Sequence, residues 1–145
     1  MIEQIGLLVV GAALAAGFAA ILRLPTVRNP GRRHGTALLV AALIYVVFAV
    51  VGESVSGVAV ELAGVAAFGA IAVAGIRRRS PALLAFGWAV HTLWDVLLHS
   101  SGPGFLYTPR GYAALCIGFD LVLAALIAKG WAGRTEPRTS AVAEV

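Results

Sequence analysis

Five stretches of this chain stay apolar for close to the ~20 residues that a helix needs to cross a bilayer. They run from Ile5 to Leu24, Thr36 to Val51, Val58 to Ile76, Ala82 to Leu98 and Tyr112 to Ala128. Hydrocarbon offers no water to backbone N–H and C=O groups, so such runs fold as helices that close their own hydrogen bonds. The expected fold class is all-α: a polytopic transmembrane helical bundle of five spans, a single domain over residues 1–128. Residues 129–145 are polar and read as a disordered tail. Only 12% of the residues are charged and 60% are hydrophobic. A soluble domain carries about 25% charged residues to cover its surface. The first run has Glu3 and no Lys or Arg ahead of it, so it lacks the basic leader of a cleaved signal peptide and reads as a retained helix.

Charge orients the bundle. Arg23, Arg28, Arg32 and Arg33 follow the first run, Arg77, Arg78 and Arg79 the third, and Lys129, Arg134 and Arg138 the fifth. Alternating spans put these three segments on one side, with Arg110 alone opposite. The positive-inside rule makes that side cytoplasmic, with the N-terminus outside and the C-terminus inside. The expected location is a bacterial inner membrane, crossed several times. The net charge of +4 therefore reports topology, and a nucleic-acid partner is not expected. Clustered arginines also suit contact with anionic headgroups. Gly and Ala crowd the first span, and Ala66, Ala70 and Ala74 mark a face of the third. Such small-residue faces suit close helix packing and a homo-oligomer within the lipid bilayer.

The functional signal lies in residues that do not belong in lipid. The fourth run contains Trp88-Ala-Val-His91-Thr-Leu-Trp94-Asp95-Val-Leu-Leu-His99. His91, Asp95 and His99 recur every four residues, a stripe that turns about 40° per step and can face the bundle interior throughout. Asp120 and Cys116 sit one turn apart in the last span, and Glu61 lies early in the third. In the five-span arrangement all of these occupy the outer half of the bilayer. An ionisable group at that depth costs about 2.5–3.5 kcal/mol on insertion scales, so it needs a partner or a wet cavity. Groups at matching depth on different helices are expected to meet.

Imidazoles and carboxylates suit zinc or iron, and manganese as well. The expected ligands of a divalent metal are His91, Asp95, His99 and Asp120, with the Cys116 thiol as a further candidate against its alternative as a small core residue. Glu61 is the candidate catalytic base or an added ligand. His91 and His99 lie ~12 Å apart along a helix axis, too far to share one ion easily. Two arrangements follow: one ion held by a His–Asp pair with Asp120 and Glu61, or two ions with Asp95 between them. Bis-histidine haem fits poorly, because the membrane histidines share one helix and His34 falls in the basic loop. A single cysteine excludes an internal disulfide. Tyr45 lies mid-span and needs a polar partner.

Two function classes stand side by side. One is a membrane metalloenzyme acting on a lipophilic substrate through a metal-bound water. The other is a non-enzymatic component, a transport or channel subunit or an accessory protein, in which the cluster is a proton relay or a helix-packing network.

The run from Gly87 through His99, followed by Cys116-Ile-Gly-Phe-Asp120, resembles an uncharacterised family of small bacterial multi-helix membrane proteins. There a His-x-x-Trp-Asp-x-x-His-His pattern sits on the next-to-last helix and an aspartate on the last. The chain departs from that pattern at Leu98, where the first histidine of the closing pair is expected. The resemblance implies a membrane location and a recurrent polar motif, and it implies no particular activity.

Overall fold

The computed structural model describes residues 2–23 and 29–135, with side chains through residue 130. Arg28 of the first loop and the tail residues 136–145, Arg138 among them, lie outside the described residues. The fold is all-α, with five helices long and apolar enough to cross a membrane. Helix α1 spans Ile2–Leu22, α2 Pro30–Val51 and α3 Val55–Arg77. Helix α4 spans Pro81–Trp94 and continues without a break as a π-helical segment, Asp95–Ser100. A short 3-10 turn, Pro103–Leu106, leads to α5, Tyr112–Thr135.

Two helix boundaries differ most from those read in the sequence. Helix α2 begins at Pro30, so Arg32, Arg33 and His34 lie in its first turns rather than in a loop. Proline is well suited to that start, because its missing N–H is one that the first turn leaves unpaired anyway. Helix α5 runs through Lys129 to Thr135, past the expected end at Ala128. No proline interrupts this stretch, and a lysine stem can lie along an apolar surface while its ammonium reaches water.

The two tight hairpins, α2–α3 and α3–α4, use one device. Each helix ends with a non-glycine residue in the left-handed region, Glu53 (φ 52°) and Arg79 (φ 49°). The following serine donates its backbone N–H back into the helix: Ser54 to the Ala49 carbonyl and Ser80 to the Gly75 carbonyl, both at 2.9 Å. This is a Schellman closure. The same serines then start the next helix, Ser54 Oγ accepting from the Gly57 N–H at 3.1 Å and Ser80 Oγ from the Leu83 N–H at 3.3 Å. One residue ends a helix and its neighbour caps the next, so the connections are as short as antiparallel packing allows.

Helix α5 packs between α1 and α4, α2 pairs with α3, and α3 reaches α4. The α1–α5 crossing brings backbones together. A side chain on Gly11 would strike the Leu115 carbonyl, and one on Gly118 would strike the Leu8 carbonyl. Lipid supplies no hydrophobic drive between helices, so dispersion contact of this closeness is what holds the pair. The small residues Gly11, Ala15 and Ala19 of α1 are thus buried within the chain, while Ala66 and Ala70 of α3 remain exposed.

The exterior is apolar: Val9, Leu14, Val47, Leu62, Leu93 and Leu97 are all about half exposed or more. The apolar core of Leu38, Phe68, Trp88 and Leu123 fills the middle. Beyond it, towards the α2–α3 turn, the interior becomes polar, with Glu61, His91, Asp95, His99 and Asp120 all at most 2% exposed. A chain that is oily outside and charged inside has its surface matched to hydrocarbon. At the other end Arg23, Arg32 and Arg79 line one cavity with Gly130 of α5. The segments after the first, third and fifth spans therefore do meet on one side.

The Gly118→Val substitution should separate α1 from α5 and lower stability by about 1–3 kcal/mol. Glu53→Gly should instead raise it by about 1 kcal/mol, by relieving a left-handed non-glycine residue. Thermal unfolding of the two variants in detergent micelles should move in opposite directions.

Candidate metal centre

His91 lies in the last turn of the α-helical part of α4, and Asp95 and His99 follow within the π-helical segment. A π turn holds more residues than an α turn, so residue i+4 falls more nearly above residue i. The wider turn thus keeps His99 on the same inward face as Asp95. Ser101 closes it, its hydroxyl donating to the Val96 carbonyl at 3.1 Å. The loop that follows folds back over the cluster. A Cβ on Gly104 would lie 2.6 Å from His99 Cδ2, so only a glycine permits this approach. Likewise a Cβ on Gly57 would lie 2.7 Å from Cε1 of Tyr107, so the α3 start is cut away to admit that ring.

The cluster has two ends joined at Asp95. At the rim end, Glu61 receives three donors. Tyr107 donates its hydroxyl to Oε1 at 2.6 Å, His99 donates Nε2–H to the same oxygen at 2.8 Å, and Trp94 donates Nε1–H to Oε2 at 3.3 Å. Burial and the Glu61 carboxylate hold the Tyr107 phenol well above its ordinary pKa, so it stays a donor. Tyr45 lies flat on the His99 ring, centroids 3.6 Å apart and planes 14° apart, which fixes the imidazole's rotation.

At the inner end, His91 Nδ1 and Asp120 Oδ2 are 2.7 Å apart, with the imidazole donating. The edge of Phe68 packs on the His91 ring at 4.7 Å. Asp95 stands between the ends. Its Oδ2 is 3.7 Å from His91 Nδ1 and its Oδ1 is 3.6 Å from His99 Nδ1. Neither distance is a hydrogen bond. Both Asp95 oxygens, His91 Nε2 and His99 Nδ1 are buried without a partner.

Each of His91, Asp95 and Asp120 offers one ligand atom, and these atoms all lie within 4.8 Å of one another. This buried trio could hold a metal ion. Of the residues singled out in the sequence, Glu61 is drawn to His99 and away from the trio, and His99 faces Asp95 from the far side. Cys116 is buried beside the hydroxyls of Tyr45 and Tyr112. The structure adds partners that spacing did not point to. Trp94 is a donor to Glu61, and Tyr107 of the following loop is another. The mid-span position of Tyr45 was a signal, and its ring does reach the cluster.

Fold and site together define a helical membrane-span bundle with a buried carboxylate–imidazole array that could bind a metal. The chain belongs to DUF6010, a family of unknown function, whose model matches residues 8–133. No curated protein and no solved structure matches it significantly.

Tyr107→Phe removes a short bond to a charged acceptor and should cost about 1.5–3 kcal/mol. Trp94→Phe removes a longer one and should cost less. Denaturant titration in micelles checks the order.

Proposed function

We propose that this chain is a multi-pass membrane metalloprotein in which His91, Asp95 and Asp120 hold a divalent cation. The observation that carries the reading is Asp95: wholly buried, with neither carboxylate oxygen hydrogen-bonded, and with an imidazole and a second carboxylate in ligand reach. An unpaired buried carboxylate is costly, and buried polar groups without partners call for a missing water or ion. Two carboxylates and a neutral imidazole carry a charge that one divalent ion balances. The donor set suits zinc, iron or manganese.

Three protein ligands leave room on such an ion for water or substrate, as in catalytic zinc sites. An ion held by His91, Asp95 and Asp120 would supply Lewis-acid chemistry, lowering the pKa of a water or polarising a substrate oxygen. With walls of lipid-facing helices around the trio, the fitting substrate class is lipophilic. Glu61 enters this reading as a base through His99. It holds the Nε2 edge of the ring, leaving Nδ1 unpartnered and turned to Asp95. The arginine-rich end lies in the cytoplasm by the positive-inside rule, which puts the site in the outer half of a bacterial inner membrane.

One observation favours a second reading. Glu61, His99, Asp95, His91 and Asp120 alternate carboxylate and imidazole in a single file, broken only by the gaps of 3.6 and 3.7 Å at Asp95. Such a file suits a proton relay in a transport or accessory subunit.

Elemental mass spectrometry of protein purified without added metal separates the two. The metal reading expects about one equivalent of zinc, iron or manganese per chain, falling tenfold or more in Asp95→Asn and His91→Ala. Metal-free wild-type protein that conducts protons in liposomes, with conduction lost in Asp95→Asn, would establish the relay instead.

A further inference from the structure

The end of the bundle farthest from the polar cluster holds a cavity of about 720 Å³ to which all five helices contribute. Its lining is sharply divided. Arg23 just past α1, Arg32 in the first turn of α2 and Arg79 in the α3–α4 turn come from three separate segments and are exposed. No acidic side chain among the described residues lines it. Behind the arginines the walls are apolar, with Leu22 from α1, Ile76 from α3, Leu84 from α4 and Ile127 from α5.

Two further features add positive potential. Asn29 and the first residues of α2, Pro30 and Gly31, line the cavity, and Asn29 makes no side-chain bond to the helix start. Arg32 and Arg33 give their N–H groups to the Asn29 carbonyl, and the positive end of the helix dipole still faces the cavity. His34 also lines the cavity, and its Nδ1 is buried without a partner.

A small inorganic anion would use the arginines and leave the apolar walls idle. A solute with one anionic head and a hydrocarbon body uses both. We propose that this cavity seats an anionic phospholipid, with its phosphodiester among Arg23, Arg32, Arg79 and the start of α2, and its acyl chains along the apolar walls. Basic pockets between membrane helices are known to take acidic headgroups, and a juxtamembrane arginine contributes roughly a fivefold gain in binding to an anionic surface. The site is independent of the metal centre, which sits at the opposite end.

Native mass spectrometry of the full chain, released from mixed micelles containing dioleoyl phosphatidylglycerol or dioleoyl phosphatidylcholine, tests it. The wild type should retain one phosphatidylglycerol in preference to phosphatidylcholine. Arg23→Ala and Arg79→Ala should each lower that retention about fivefold, and Arg110→Ala, on the loop at the other end, should leave it unchanged. Equal retention of the two lipids would overturn the proposal. So would an equal loss on Arg110→Ala, or full displacement of the lipid by millimolar inorganic phosphate, which would mark a simple anion site. Should an arginine variant fail to fold, the wild-type comparison of the two lipids and the phosphate competition still decide.

Discussion

The Glu61 carboxylate and its three donors bind the polar end of this molecule together. Tyr107 comes from a loop, Trp94 and His99 from successive turns of α4, and Glu61 itself from α3. In hydrocarbon an ionised carboxylate without partners is expensive, and with three it becomes a fixed point. Every element that touches it loses freedom. The loop is drawn across the helix ends, α3 is registered against α4, and the His99 ring is held at one edge while Tyr45 covers its face.

That anchoring explains why the inner end of the cluster differs in character. Glu61 is saturated with donors, whereas Asp95, one turn deeper on α4, has none. The same helix therefore sets both histidines beside one unsatisfied carboxylate, His99 held from the far side by Glu61 and His91 by Asp120. The π-helical segment makes this arrangement workable, because it sets His99 over Asp95 while the α-helical part sets His91 below it. Departures of this kind from α geometry are frequent at functional sites. The two ends of the bundle then present opposite chemistry: buried acids and imidazoles at one, exposed arginines around a cavity at the other.

Much of this was legible from residue order. The apolar runs at Ile5, Thr36, Val58, Ala82 and Tyr112 each became a helix, because hydrocarbon leaves the backbone no other way to pair. Four-residue spacing placed His91, Asp95 and His99 on one inward face, since helical periodicity is local. Matching depth correctly suggested that Asp120 and Glu61 would meet that face. The allocation among them was not legible. Asp120 pairs with His91 and Glu61 with His99, a choice set by how α3, α4 and α5 rotate against one another. Nor does any spacing mark Trp94 and Tyr107 as donors to Glu61, because their approach depends on how the loop and α4 lie against α3.

By itself, then, the sequence determined the helices, their alternation, the shared side of the basic segments and the inward stripe, because each depends on solvent matching or on short-range periodicity. Only the tertiary structure decided that Asp95 has no partner while Glu61 has three, and that Gly11 and Gly118 bring α1 and α5 into backbone contact. It alone gathered arginines from three separated segments around one cavity. Those outcomes depend on helix rotation and on a loop folding back across the bundle. Both are set by packing between residues far apart in the chain, and no local pattern encodes them.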